Sequence, residues 1–262
     1  MKRARRGISL DNRDAGLITI HDLPAALGLL TRLPVPVNTD RAMARGAAAA
    51  WAYPLVGLVV GVICAASVAL LLAAGLPSGI VAALVLAVSV ILTGAMHEDG
   101  LADSADGLWG GWDRTRRLAI MKDSHIGVYG VIALALTLMI RWLVLLAVVA
   151  TGSYWPVLIG LGVVSRTGMV VLMATLPNAR ADGLSQHVGR PAAATAWLAV
   201  ALGAVIGLIC IGVGPILAAV GATLLCGMVA RSKIGGQTGD ILGATQQITE
   251  IAVLLVIVAV MG

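Results

Sequence analysis

The chain has 262 residues, with 18 Lys and Arg against 13 Asp and Glu, and is 59% hydrophobic but only 12% charged. A soluble domain holds roughly 25% charged residues, so the composition excludes an ordinary globular protein and points to a polytopic membrane protein. The net charge of +5 is spread unevenly and reports topology, which argues against nucleic-acid binding.

Residues 1–20 read as a basic tail opening on MKRARRG. It is expected to be retained, because no hydrophobic core with a small-residue cleavage site follows it. Residues 21–262 read as a single integral membrane catalytic domain. His21 and Asp22 are placed to cap a short helix over 23–33, with Pro24 in its first turn. That helix is too short to span a bilayer and is assigned to the interface. The prolines of TRLPVPV then force an extended turn.

About seven apolar spans follow at about 20 residues per crossing, over roughly 48–74, 79–96, 127–150, 155–176, 194–212, 215–230 and 246–262. The expected fold is an all-α polytopic helix bundle. It contains 32 Gly and no Phe, so Ala, Val, Leu and Gly carry the apolar mass, which suits closely packed spanning helices. Cys64, Cys210 and Cys226 lie in apolar runs without zinc or CxxC spacing and read as small buried side chains.

Connectors 75–78, 151–154 and 212–214 are short and uncharged. Of the 18 Lys and Arg, only Arg141 and Arg166 fall inside spans, and the other 16 lie on one side. The positive-inside tendency makes that side cytosolic, with the N-terminus inside and the C-terminus outside. Arg141 and Arg166 are costly in hydrocarbon, so each is expected to face the bundle, pair, or snorkel to an interface. For Arg166, an anion clamp and snorkelling remain alternatives.

Between spans two and three, residues 97–129 read HEDGLADSADGLWGGWDRTRRLAIMKDSHIGVY and hold six of the 13 acids. On a helix at about 100° per residue, Asp99, Asp103 and Asp106 fall near 0°, 40° and −20°. Three carboxylates thus share a face, with no Lys or Arg between 99 and 113 to neutralise them. A divalent cation removes their repulsion, and an oxygen-only donor set points to Mg²⁺ or Mn²⁺ rather than zinc. Gly100, Ser104 and Gly107 line an adjoining face that lets a backbone or substrate approach, and Gly110-Gly111 is expected to end the helix. Arg114, Arg116, Arg117 and Lys122 follow at once. Metal ligands and then cations suit a metal–diphosphate substrate, while a charged loop between two spans is the plain alternative.

Residues 233–250 read KIGGQTGDILGATQQITE. Gly235, Gly236, Thr238 and Asp240 open the last helix, where backbone N–H groups face an anion. An ordinary turn with Asp240 as cap explains the same residues. The span count puts this loop on the same side as the Asp helix. Asp240 is therefore expected beside Asp99, Asp103 and Asp106, with span seven packed near span two.

HEDGLADSADG, followed by RRLAIMKDSHIGVYGVIAL, resembles the signature of the cobalamin synthase family, the adenosylcobinamide-GDP ribazoletransferases. LGLLTRLPVPV, YPLVGLVVG, MATLPNARADGL and GGQTGDILGATQQITE are similar to that family in the same order, so the resemblance covers nearly the whole chain. His97-Glu98 and His125 depart from it. The resemblance implies a bacterial inner-membrane transferase that joins adenosylcobinamide-GDP to α-ribazole or its 5′-phosphate with Mg²⁺, releasing GMP. Asp99, Asp103, Asp106 and Asp240 would hold the metal. Arg116, Arg117 and Lys122 would take charge on the leaving GMP, and Asp106 or Asp123 would accept the hydroxyl proton. Gly100, Gly107, Arg114, Ser124, Gly235, Gly236, Thr238 and Arg166 would contact substrate. Expected partners are these small molecules and the bilayer, with other enzymes of the same pathway or self-association further options. The rival readings are a CDP-alcohol phosphotransferase, whose DGxxAR pattern is not met here, and a cation transporter, whose carboxylates usually sit at the bilayer midplane.

Overall fold

The computed structural model describes residues 16–261. Most of the expected basic tail, residues 1–15, lies outside the described residues.

The described chain is helical throughout and holds no strand. Helix α1 (Asp22–Leu30) and α2 (Thr39–Arg45) lead through a 3-10 stretch (Gly46–Ala52) into α3 (Tyr53–Ala73) and α4 (Ser78–Thr93). Next come α5 (Met96–Gly110), α6 (Arg114–Ile120), α7 (Val128–Ala150) and α8 (Tyr154–Thr175). The chain closes with α9 (Leu184–Val188), α10 (Ala193–Ile211), α11 (Val213–Ile234) and α12 (Gly239–Met261). Six helical segments are long and apolar enough to cross a bilayer, and α4 with α5, bent by 87° at their join, counts as a seventh when the pair is taken as one broken span. The all-α polytopic bundle expected from composition is therefore what forms.

Two expected boundaries move. The sixth span, expected over 215–230, is longer, since α11 covers Val213–Ile234. Helix α12 starts at Gly239, where the 235–240 stretch predicts a helix start, rather than at the apolar limit near 246. Asp240, Gln246, Gln247 and Glu250 interrupt the apolar pattern of α12. The last three are nevertheless buried, since other helices cover them. Helix α1 ends at Leu30 because Thr31 turns extended (φ −140°). His21 makes no cap. The Asp22 carboxylate instead accepts from the Thr19 N–H (2.9 Å), Arg45 (2.7 and 2.8 Å) and the Trp51 indole (2.8 Å), tying α1 to α2 and the 3-10 stretch.

The bundle is built on a seam between α3 and α8 where glycines remove the side chains. A Cβ on Gly57 would run into the Gly162 carbonyl, and one on Gly61 would stand 2.5 Å from the Leu158 oxygen. Small residues four apart allow this backbone contact, which favours helix association where lipid offers no hydrophobic drive. One apolar cluster surrounds the seam (Val60, Val68, Val148, Leu158, Leu254), and a second fills the end that carries α1 (Ala50, Val56, Met173, Ile234). The turn from α4 to α5 uses Gly94 (φ +63°) and Ala95 (φ +57°), with the Arg32 side chain packed against Gly94. The Arg32 N–H reaches the Leu92 carbonyl (2.7 Å), satisfying one of the open carbonyls at the end of α4. This bend throws the acidic helix across the end of the bundle.

Candidate functional site

Helix α5 ends at Gly110 with Gly111 as its cap, as its sequence predicts. It lies against α12 with no side chain between the two backbones. A Cβ on Gly100 would meet the Asp240 carbonyl oxygen at 2.8 Å, the Asp240 Cα at 3.1 Å and the Gly243 Cα at 3.2 Å. A Cβ on Gly243 would in turn meet the His97 Cα at 3.2 Å. The first turn of the last helix therefore sits on the acidic helix, although about 140 residues of chain separate them.

Asp99 and Asp240 consequently line one cavity of about 230 Å³, with His97, Arg180, Ser185 and Tyr53 among its walls. Asp103 is half-buried and close enough to Asp99, Asp240 and Asp106 to feel their charge. Neither Asp99 nor Asp103 has a hydrogen-bond or ion-pair partner among the described side chains. Asp240 is held differently, accepting from Arg180 Nη2 (3.2 Å) and from the Thr238 hydroxyl (3.2 Å). Among the described residues, no three His, Cys, Asp or Glu groups converge as a ready-made metal cage. The donor set is nonetheless one that suits a hard cation, since Asp99, Asp103 and Asp240 gather three carboxylates around a single guanidinium, Arg180.

Asp106 is elsewhere engaged. Its carboxylate is buried and accepts the Gly127 N–H (2.7 Å) and the Gly130 N–H (2.9 Å). Both donors open α7, whose first N–H groups have no partner within the helix. Asp106 thus anchors α7 to α5, and Gly127 and Gly130 are the residues that leave room for its oxygens.

The expected cation cluster divides in the same way. Arg114 donates to the Ile234 carbonyl (2.8 Å) and the Ala179 carbonyl (2.5 Å), and Arg117 to the carbonyls of Gly111 (2.9 Å) and Lys233 (3.0 Å). Both arginines therefore close the C-terminal end of α11, where open carbonyls and the helix dipole attract cations. Lys122 pairs with Asp182. Arg116 and Ser124 are exposed. Asp123 is exposed and bound to His125 (2.7 Å), and this bond, with the His125 N–H, holds its carboxyl below the usual carboxylate range.

The glycines serve backbone packing. Gly107 gives room to Met121 and the Arg117 carbonyl, Gly235 (φ +79°) caps α11, and Gly236 packs on the Pro177 carbonyl. The loop at 235–238 is laced to the 177–185 segment by a bridge between Asn178 and Gln237 and by the Ser185 hydroxyl on Gln237 (2.7 Å). Thr238 also receives the Ile241 N–H (3.3 Å), so the residue before α12 caps it.

Arg166 is fully buried, donates to the Gly162 carbonyl (3.2 Å), and does not line the cavity. Arg141 neither snorkels nor stands alone. It contacts Glu98 (3.1 Å), Gln247 (2.7 Å) and Glu250 (2.8 Å), joining α5, α7 and α12. Sequence reasoning missed this linkage, and it missed Arg180 as a partner of Asp240. The signal for Arg180 was available, because it lies inside the MATLPNARADGL stretch.

The model of the family described as cobalamin-5-phosphate synthase matches residues 22–258. The chain belongs to this family. It is 45% identical to an adenosylcobinamide-GDP ribazoletransferase of Mesorhizobium japonicum over 90% of this chain and 92% of that one. It is 41% identical to the Bradyrhizobium diazoefficiens protein of the same name (92% and 94% covered). Against the Brucella ovis protein it is 38% identical (90% and 95% covered). No solved structure matches the chain. Within the family's span, residues 22–258, lie both halves of the cavity, α5 and the start of α12.

Proposed function

We propose that the chain is an adenosylcobinamide-GDP ribazoletransferase. It would join adenosylcobinamide-GDP to α-ribazole, or to α-ribazole 5′-phosphate, giving adenosylcobalamin or its 5′-phosphate and GMP. The observation that carries this reading is the cavity shared by Asp99 and Asp240, with Asp103 close enough to feel the charge of both, in a chain of this family. In-order similarity over residues 22–258 favours it over a CDP-alcohol phosphotransferase or a cation transporter.

The chemistry is phosphoryl transfer. A ribose hydroxyl oxygen bonds to the phosphorus on the cobinamide side of the diphosphate, the bond to GMP breaks, and the hydroxyl proton leaves. Positioning and charge neutralisation supply most of such catalysis. Asp99, Asp103 and Asp240 would hold Mg²⁺, which supplies charge neutralisation across the diphosphate. Arg180, held beside Asp240, is the cation best placed to meet phosphate oxygens. Asp106 acts by anchoring α7, since its oxygens already accept two backbone N–H groups. Asp123 is a poor proton acceptor, because a carboxyl held below its usual range is a weak base. The excess of Lys and Arg in the connectors at this end supports a cytosolic orientation for it in a bacterial inner membrane.

Purified protein in detergent, supplied with both substrates, is expected to release GMP and form the coupled corrinoid only when Mg²⁺ is present. Absence of GMP release under those conditions refutes the assignment.

A further inference from the structure

The carboxylate cavity does not end at its polar wall. Its opposite side is made by Leu29, Tyr53, Leu184 and Val188. The same four residues line a second and larger cavity of about 460 Å³, so the two adjoin. This second space lies between α1, α2, the 3-10 stretch and α9. Its remaining walls are largely small or apolar, with Ala25, Ala26, Val37, Ala42, Met43 and Ala49 among them. Among the described residues, no Asp, Glu, Lys or Arg lines it, and Thr39, Tyr53 and His187 are the polar side chains that do.

We propose that this second cavity receives the aromatic base of the nucleoside acceptor, with the ribose reaching into the carboxylate cavity. The proposal rests on the transferase reading above and assigns the acceptor's place within it. Chemistry separates the candidates. Guanine carries several donors and acceptors, and burying them without partners costs free energy. A diphosphate needs cations or N–H groups, and no charged side chain among the described residues lines the cavity. The corrin, with its ring of amides, is too large for a space of about 460 Å³. A methylated benzimidazole is neutral and planar, and its one ring-nitrogen acceptor can be met by Thr39, Tyr53 or His187, while its carbocycle suits the apolar walls usual in small-molecule sites of this size.

A rival apolar cavity of about 420 Å³ lies between α5, α7, α11 and α12. It borders Leu101, Ser104 and Leu108, which stand on the face of α5 opposite Asp99, and it shares no wall with the carboxylate cavity. A base bound there could not place its ribose at the diphosphate. The cavity under α1 and α2 therefore takes the base, and its small side chains set the size of base accepted.

Ala42→Leu puts three further carbons into the cavity. It is expected to raise the KM for α-ribazole roughly tenfold, the scale on which apolar pockets discriminate single carbons. The KM for adenosylcobinamide-GDP is expected to stay where it was, and the riboside of unmethylated benzimidazole to lose less than α-ribazole. A second readout does not require the larger side chain to fold. In membranes, α-ribazole is expected to slow thiol modification of Ala42→Cys, measured against the unsubstituted protein, whereas adenosylcobinamide-GDP does not. A rise in the KM for the corrinoid substrate instead, or no protection by α-ribazole, overturns this assignment. An unsubstituted enzyme that releases no GMP overturns the transferase reading, so the two failures are told apart.

Discussion

Replacing Gly100 by alanine tests whether the juxtaposition of α5 and α12 sets activity. In an isolated helix the change is favourable by about 1 kcal/mol, because glycine spends more backbone entropy on folding. Here the added Cβ meets the Asp240 carbonyl at 2.8 Å, and relief to an ordinary contact of 3.4 Å moves the two helices apart by about 0.6 Å. The obstacles are backbone atoms, with no flexible side-chain end to swing aside. Overpacking of this kind costs about 1–3 kcal/mol, so stability falls by about 0–2 kcal/mol net and the protein still assembles. Activity is more sensitive. A misplacement of about 1 Å costs on the order of a hundredfold, so a shift of about half that predicts roughly a tenfold loss in kcat. The assay is GMP release by purified protein, with the thermal midpoint in detergent measured in parallel. Gly221→Ala is the control, since a Cβ there meets nothing within 4 Å. Full activity in Gly100→Ala would refute the claim that the α5–α12 distance matters.

Asp103→Asn is expected to abolish nearly all GMP release while leaving expression and membrane insertion intact, because an amide is a far poorer Mg²⁺ ligand than a carboxylate. Combining it with Asp240→Asn should cost far less than the two single losses together, and additive losses in a double-mutant cycle would separate the two residues. Arg141→Met removes the cation shared by Glu98, Gln247 and Glu250 and should lower stability by about 3–5 kcal/mol, read as unfolding in detergent. Adding Glu250→Gln should restore part of that loss, and an unshifted midpoint in Arg141→Met sinks the clamp. Burial raises the Asp22 carboxyl, but Arg45, Trp51 and Thr19 outweigh it and hold its pKa below the ordinary 3.8. Its stabilisation of α1 is therefore complete above the ordinary carboxylate range and is lost as pH falls through the depressed value. Proteolysis at 31–38 should rise in that acid window, and Asp22→Asn should remove the dependence.

The spanning helices were legible because bilayer thickness dictates their length and composition. The acidic helix was legible because three carboxylates recur at helical spacing and two glycines follow. Asp106 shows where that legibility stops. Its phase matches Asp99 and Asp103, but the Gly127 and Gly130 N–H groups that claim it belong to the start of α7. Arg114 and Arg117 mislead for the same reason, since a cation beside an acidic stretch looks like a phosphate ligand until the carbonyls of Ile234 and Lys233 come into view. Glu98 and Arg141 are 43 residues apart and share no local pattern, so only tertiary packing could pair them. The start of α12 was legible in its glycines and Asp240, while hydropathy alone set the apolar limit near 246, inside the helix.

That polar stripe on α12 bears on how the molecule is made. Among the described crossings α12 is the least hydropathic, and it leaves the ribosome after all the others. A charged residue at mid-helix costs about 2.5–3.5 kcal/mol on insertion into lipid, and Glu250 brings two glutamines and Arg141 as its buried company. An empty bilayer is a poor host for this segment. A bilayer already holding α5 and α7, with Arg141 turned inward and met only by Glu98, is a good one. The order of synthesis thus provides the receptor before its ligand, and the last helix enters by docking to protein as much as by partitioning into lipid.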